Sequence, residues 1–420
     1  MYRLTNTTQH YAWGSPSAIS DLLGREPSGQ PEAELWMGAH PSAPSRIDGG
    51  EATLLDFVSA DPVGMLGPQV AARFKNRLPF LLKVLSAAKA LSIQTHPTRA
   101  QAEAGYAAEQ ERGLPAGDPN RNYVDDWPKP EILMALTAFE ALAGCRSAED
   151  AERVLAAVVA LGAQALEPVR AELADKPEPA TVAAAIGRLL EWPAETRGEL
   201  VAGVVEACRA GAEKGGESAD DSAGDLGQGL AGDLGQGLAD DFAAVLRVAE
   251  DFPGDIGLVA MLLMKRVVLE PGEAIFLEAG GLHAYLRGTG VELLANSDNV
   301  LRAGLTPKHI DVAELLRIMD ASVPVPVRHG TAIGVGVTEF DTPAPEFRLY
   351  HATLDTKTTL RAELPGTGPR IVLALSGEVE LRGTRGALTL TQGESCFVPA
   401  REGRVEVSGL ADLVVAAPGV

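Results

Sequence analysis

The sequence predicts a mainly β chain interrupted by a helical insertion. Three observations carry this reading. From the N-terminus to about Cys145, and again from Ile256, short apolar runs alternate with Gly and Pro, the texture of strands joined by turns. Between Ser147 and about Lys214, Ala, Leu, Glu and Arg dominate, with apolar residues at helical spacing. From about Thr338 to the end, short alternating runs and glycine turns return, which predicts a compact β domain. The expected division is a first β domain in two parts, 1–146 and 251–325, an inserted helical domain over 147–250, and a second β domain over 326–420. A chain of 420 residues is long enough to give each a core of its own.

Taken in order, the first unusual segments are Tyr11-Ala12-Trp13-Gly14 and Glu34-Leu35-Trp36-Met37-Gly38-Ala39-His40-Pro41. Each sets a Trp near Gly in a chain with four Trp, a pattern of packed loop anchors. Leu78 to Leu85 reads as a buried strand with Lys83 inside it. An ammonium there must either reach water along its stem or meet an anion. The next segment is Leu91-Ser92-Ile93-Gln94-Thr95-His96-Pro97. On a strand, residues two apart share a face, so Gln94 and His96 can offer an amide oxygen and an imidazole to one metal. In Trp127-Pro128-Lys129-Pro130-Glu131, two prolines hold Lys129 in an extended stretch, and Glu131 opens an apolar strand.

The helical region is exemplified by Val154, Leu155, Val158, Val159 and Leu161, and Pro168, Pro177, Pro179 and Pro193 divide it into several helices. Within it, Gly-Asp-Leu-Gly-Gln-Gly-Leu-Ala occurs at 224–231 and again at 232–239. This polar, glycine-rich repeat is expected to be a flexible surface loop over 215–241. Strands are expected at Val267–Leu269 and Ala274–Leu277 around a Glu270-Pro-Gly-Glu turn. A short helix is expected at Val312–Met319 and a linker at Pro324–Arg328.

Composition narrows the function. The net charge of −21 argues against nonspecific nucleic-acid or anionic-membrane binding, although a local cationic cluster can still receive an anionic substrate. The three cysteines, Cys145, Cys208 and Cys396, are far apart and show no metal-binding spacing. A reducing compartment fits them. The first residues lack a signal-peptide core, and the longest apolar run, Ile256 to Met264, is too short to span a bilayer. A cytoplasmic protein is expected, monomeric or at most a weak homodimer.

The spacing from Gly272 through Glu278 and Gly280 to His283 resembles the second half-motif of the cupin, or jelly-roll barrel, family, with Glu278 in the usual Pro place. Gly393 and Pro399 repeat it, but Arg401 and Arg404 stand where Gly and the metal-binding His would be. This implies a second barrel without metal. With Tyr11-Ala-Trp-Gly, Glu34 to Pro41, Leu78-Pro-Phe-Leu-Leu-Lys-Val-Leu, Leu91 to Pro97, Lys129-Pro-Glu, Gly281-Leu-His-Ala-Tyr and the run from Glu292 through Asn296-Ser-Asp-Asn-Val-Leu-Arg-Ala-Gly to Thr306-Pro-Lys, the chain resembles the type I mannose-6-phosphate isomerases over most of its length.

The resemblance implies a catalytic cupin barrel, an inserted helical domain and a second C-terminal jelly-roll barrel. It also implies one Zn²⁺ per chain on Gln94, His96, Glu131 and His283. That N/O donor set suits zinc and leaves room for water or substrate, although each residue taken singly would pass as an ordinary polar side chain. The implied reaction interconverts mannose 6-phosphate and fructose 6-phosphate, both small sugar phosphates, through a cis-enediol. It needs an electrophile, a base and a cationic anchor. Arg302, always charged, is expected to stabilise the enediolate. Lys129 and Glu292 are the candidates for proton transfer. Lys83, Ser92 and Lys308 are the candidates for phosphate, and Trp13 and Tyr285 for the sugar. His10, His40, His309, His329 and His351 have no comparable partner in the sequence. Many relatives carry Asn-His where this chain has Trp127-Pro128, so any ring-opening role of that His does not transfer. The alternatives are a sugar-phosphate-binding cupin without turnover and another metal-dependent cupin enzyme such as an oxygenase.

Overall fold

The computed structural model describes residues 1–115, 117–217 and 228–420, the side chains of 215–217 and 228–236 excepted. Its strands form two antiparallel sheets. The first has eleven strands, along a path that joins Val327–His329, Glu273–Leu277, Glu131–Ala135, His283–Ala295, Phe80–Ala87, Glu34–Gly38 and Thr7–Gln9. Strand Phe80–Ala87 is buried along its whole length, which is why it reads as one apolar run. Its side chains still divide between two faces. Phe80, Leu82 and Val84 enter a core shared with Leu349, Phe397 and Val414 of the second sheet. Leu85 and Ala87 pack on the other side with Leu133 and Tyr285, and Lys83 shares that parity.

The thirteen-residue strand His283–Ala295 organises the first sheet. Its first part pairs with Phe139–Cys145, and His283 lies opposite Gln94. Its second part runs between Phe80–Ala87 and Glu131–Ala135, with Glu292 opposite both Lys83 and Leu133. The change of partner falls at an irregularity between Tyr285 and Arg287 and at Gly288, whose φ is +126°. A Cβ there would stand 2.8 Å from the backbone of Phe139, so only glycine lets the strand turn this corner.

The second sheet has ten strands. Its centre is Glu406–Ala417 paired with Arg370–Gly383 and Arg348–Leu354. Two segments depart from the expected division. The N-terminal strand Tyr2–Thr5 pairs with Ser395–Val398, Tyr2 opposite Phe397, so the first residues of the chain lie on the C-terminal sheet. The expected linker ends in a strand, Val327–His329, that pairs with Glu273–Leu277. Main-chain pairing across distant segments leaves no local trace in the sequence. Cys396 is fully buried. Arg404, in the place of the half-motif His, pairs with Glu363 at 2.8 Å near the surface.

The insertion forms helices Ala148–Ala160, Glu167–Asp175, Pro179–Leu190, Ala194–Glu217 and Gln228–Asp251. Ser147 caps the first, its hydroxyl accepting the Asp150 N–H at 3.1 Å. Val154, Leu155 and Val158 of the predicted stripe are buried in the helical core with Phe242. The loop expected over 215–241 is corrected at both ends. Helix Ala194–Glu217 enters it, and helix Gln228–Asp251 covers 228–241; residues 218–227, with the start of the repeat, lie outside the described residues. Within helix Gln228–Asp251 the repeat sets Leu230, Leu234 and Leu238 four positions apart, a helical spacing that its glycines disguise. Gly211 and Phe242 lock the last two helices together, for a Cβ at Gly211 would meet the Phe242 ring at 2.5 Å. No helix among the described residues is long and apolar enough to cross a membrane.

Candidate metal centre

Three strands and one strand end bring the site together. Gln94 lies in Ile93–Thr95, His96 just beyond it, Glu131 opens Glu131–Ala135 and His283 opens His283–Ala295. His96, Glu131 and His283 are each 1% exposed. Their ligand atoms all lie within 4.8 Å of one another, the one such group of three among the described residues. His96 Nε2 is 3.4 Å from Glu131 Oε1, and His283 Nε2 is 3.6 Å from Glu131 Oε2. Gln94 closes the group, its amide 3.4 Å from His283 Nε2.

The tautomers follow from the acceptors behind the rings. His96 Nδ1 lies 2.7 Å from the carbonyl of Asn299, and His283 Nδ1 lies 3.2 Å from that of Gly281. Each Nδ1–H is donated outward, so both Nε2 lone pairs point inward. Burial pushes the His96 imidazole down to about 4, against the pull of Glu131, so the ring is neutral. Burial alone would raise Glu131, but Lys129 and the two imidazoles outweigh it and hold the carboxyl well below its ordinary range. His96 Nε2 and Glu131 Oε2 are buried with no hydrogen-bond partner. Orphaned acceptors at a buried point, one of them the lone pair of a neutral ring and the other a carboxylate oxygen, are costly unless a cation completes them. The residues present therefore fit a zinc-type ion.

A second ring of charge surrounds the first. Lys129 Nζ sits 3.2 Å from Glu131 Oε1. Lys83 Nζ lies between Glu292 Oε2 at 3.1 Å and Glu34 Oε1 at 3.3 Å, and 4.9 Å from the centre of the Trp36 ring. Trp36 Nε1 donates to Glu34 Oε2 at 2.8 Å. Lys83 therefore does not reach water, and it is no free cation for a phosphate. Burial alone would depress its ammonium, but Glu34, Glu292 and Glu131 raise it. Glu292 is raised by burial, with Lys83 opposing and Glu131 adding to the rise. Tyr285 is buried beside them, its hydroxyl without a hydrogen-bond partner and its ring 6.1 Å from His283. Burial first, and the charge of Glu292 second, raise that phenol well above its ordinary value.

Arg302 lies opposite Gln94 in the register of Leu301–Gly304. It is half-buried, and among the described residues its guanidinium has no hydrogen bond or ion pair. Lys308 is likewise unpaired, its ammonium depressed by burial and then by the charge of Arg302. Ser92, half-buried just before Ile93–Thr95, has a hydroxyl without a protein partner. Trp13 packs half-buried beside the cluster that holds Tyr285, 5.7 Å from Tyr11.

Three features were missed. Glu34 opens the segment Glu34–Pro41, but nothing local marks it as the partner of Lys83. Asn299 is fully buried and does two things: its carbonyl orients His96, and its side chain binds the backbone of Val124, Asp125 and Trp127. His40 has a partner after all. Its Nε2 is 3.3 Å from Asp298 Oδ2, and its Nδ1 is 2.7 Å from Ser42 Oγ. Trp127 packs in the core shared by the two sheets, on Phe74 and between Arg77 and Arg99.

A buried His–Glu–His donor set at the end of an antiparallel sheet, ringed by lysines and acids, defines a mononuclear metal protein of the β class. Residues 1–148 match the family described as phosphomannose isomerase type I, catalytic domain. Residues 337–418 match the mannose-6-phosphate isomerase cupin domain, as the half-motif predicted. Mannose-6-phosphate isomerase of Escherichia coli K12 is 38% identical, with 97% of each chain covered, and that of Rattus norvegicus is 31% identical over 96% of this chain and 94% of its own. A crystal structure of mannose 6-phosphate isomerase bound with zinc and yttrium superposes with a TM-score of 0.84 at 34% identity over the whole of both chains. A single-site variant of the Salmonella typhimurium phosphomannose isomerase gives 0.85, also at 34% and over the whole of both chains. The chain belongs to the type I mannose-6-phosphate isomerase family.

Proposed function

We propose that the chain is a zinc-dependent aldose–ketose isomerase that interconverts mannose 6-phosphate and fructose 6-phosphate. The observation that carries this is the orphaned inward-facing pair, His96 Nε2 and Glu131 Oε2, beside His283 and Gln94, in a chain of this family. These four residues would hold one zinc ion. When bound, zinc supplies a Lewis acid for the oxygen that becomes anionic as C1 and C2 exchange a proton.

The protein's own groups do the rest. Of the two proton-transfer candidates, Glu292 is the better matched. Its raised pKa, despite the ion pair with Lys83, suits a carboxylate that takes a proton from C2 and returns it to C1, whereas an ammonium such as Lys129, paired with Glu131, has no lone pair to accept one. Lys129 then keeps Glu131 ionised. Arg302 is unpaired and half-buried, so it can face the enediolate or the phosphate. Lys308 beside it adds a second cation, and Ser92 a hydroxyl. Trp13 and Tyr285 bound the sugar. All donors come from one chain, so the functional unit proposed is the monomer. Three free thiols fit a reducing compartment, the cytoplasm.

The test is a coupled assay of fructose 6-phosphate formation by purified protein. Activity should vanish with a chelator and return with Zn²⁺ at one ion per chain. Metal-loaded protein that binds the sugar phosphate but never turns it over would reject the enzyme reading in favour of a binding protein.

A further inference from the structure

We infer that Asp255 is the positioning residue for the anion-binding end of the site, through a left-handed turn at Leu305 that spaces Arg302 from Lys308. Three backbone N–H groups converge on its carboxylate: Gly257 at 2.7 Å and Leu305 at 3.0 Å on Oδ1, and Thr306 at 3.2 Å on Oδ2. No cation among the described residues competes for it. Leu305 has a φ of +53° and is 1% exposed. A bulky, branched residue occupies that region only when its surroundings over-determine it. Here a charged acceptor on its own N–H and the next one supplies the constraint.

The turn has no slack. Gly304 has a φ of +133°, and a Cβ on it would stand 2.6 Å from the Cα of Gly257. A Cβ on Gly257 would meet the Leu305 nitrogen at 2.6 Å. Two residues beyond Thr306, the Lys308 N–H is tied back to the Thr306 hydroxyl at 3.1 Å. The chain thus passes from Arg302 to Lys308 through one pinned corner. Asp255 itself lies between helix Gln228–Asp251 and helix Gly257–Ala260, so the exit of the helical insertion is fastened to the cationic end of the site. This role rests on reading Arg302 and Lys308 as the phosphate anchor.

The experiment compares the native protein with Asp255→Ala, Asp255→Asn, Asp255→Ala combined with Leu305→Gly, and Lys308→Met. It reads KM and kcat for mannose 6-phosphate, the inhibition constant of inorganic phosphate, and zinc content. Losing a hydrogen-bonded charged acceptor should raise KM and the phosphate inhibition constant about tenfold in Asp255→Ala. The kcat should stay within about threefold, with zinc unchanged. Asp255→Asn, which keeps one acceptor oxygen, should fall between, and it carries the test if Asp255→Ala does not fold. Leu305→Gly should restore both constants in the folded double variant, because glycine takes the left-handed turn without a Cβ penalty, while the loss of a buried leucine lowers its Tm. Loss of kcat with unaltered phosphate inhibition, or no rescue by glycine, would overturn the inference. If Lys308→Met leaves phosphate inhibition unchanged, the phosphate reading of the pair fails and the inference with it. If Lys308→Met weakens inhibition and Asp255→Ala does not, only the role of Asp255 fails.

Discussion

Glu131→Gln is expected to lower isomerase turnover by on the order of 10³-fold and to empty the zinc site. Glu131 is the only anionic member of the donor set, and it faces both imidazoles. A neutral amide keeps the shape but removes the charge that balances a divalent cation in a buried place. It also leaves Lys129, 3.2 Å away, as an unpaired ammonium pointing at that cation. Zinc content and kcat of the purified variant check this together, with thermal unfolding as the control for folding. A variant that keeps one zinc per chain and turns over within about tenfold of the native rate would remove Glu131 from the ligand set.

Lys83→Met is expected to cost about 3–5 kcal/mol of stability, since it leaves buried carboxylates without their cation. The pH dependence has a definite sign. The Lys83 ammonium is raised in the folded chain, so its contribution is fully present below the unfolded Lys value and is lost only as pH rises through the folded one. In the variant the cost falls on Glu292 and Glu34, and protonating them relieves it. The difference in urea midpoint between native and variant should therefore be larger at pH 8 than at pH 5. Because Lys83 opposes the rise of Glu292, its removal should also move the acid limb of kcat to higher pH. An unchanged acid limb would separate Glu292 from the proton transfer; an unchanged urea midpoint would show that the ion pairs carry no stability.

Much of the site could be read as segments. Gln94 lies on a strand and His96 follows two positions on, one residue past its end, and Glu131 heads an apolar run; the geometry joins them with His283 across three strands. The two-residue spacing works because a strand's pleat alternates its faces. Lys83 shows where local reading stops. Its burial was evident from the run around it, but the choice between water and an anion depended on Glu34 and Glu292, on the two strands that flank it. The repeat at 224–239 shows the opposite error. Glycine and aspartate suggest a loop, while from residue 228 the four-residue leucine period lies in a helix that packs on its neighbour through Phe242.

By itself, then, the sequence determined the β–helical–β order of the chain, its strongly periodic strands and helices, and which residue types could serve a metal and a sugar phosphate, because these depend on periodicity and side-chain chemistry along a few neighbouring residues. Tertiary structure alone decided which charges meet. It set Lys83 between two acids, put His40 on Asp298 and the N-terminal strand on the far sheet, and turned Asp255 onto Leu305. These pairings join residues from 49 to almost 400 positions apart in the chain. Each depends on strand register and on the desolvation of both partners at once, quantities that exist only after the chain has closed around them.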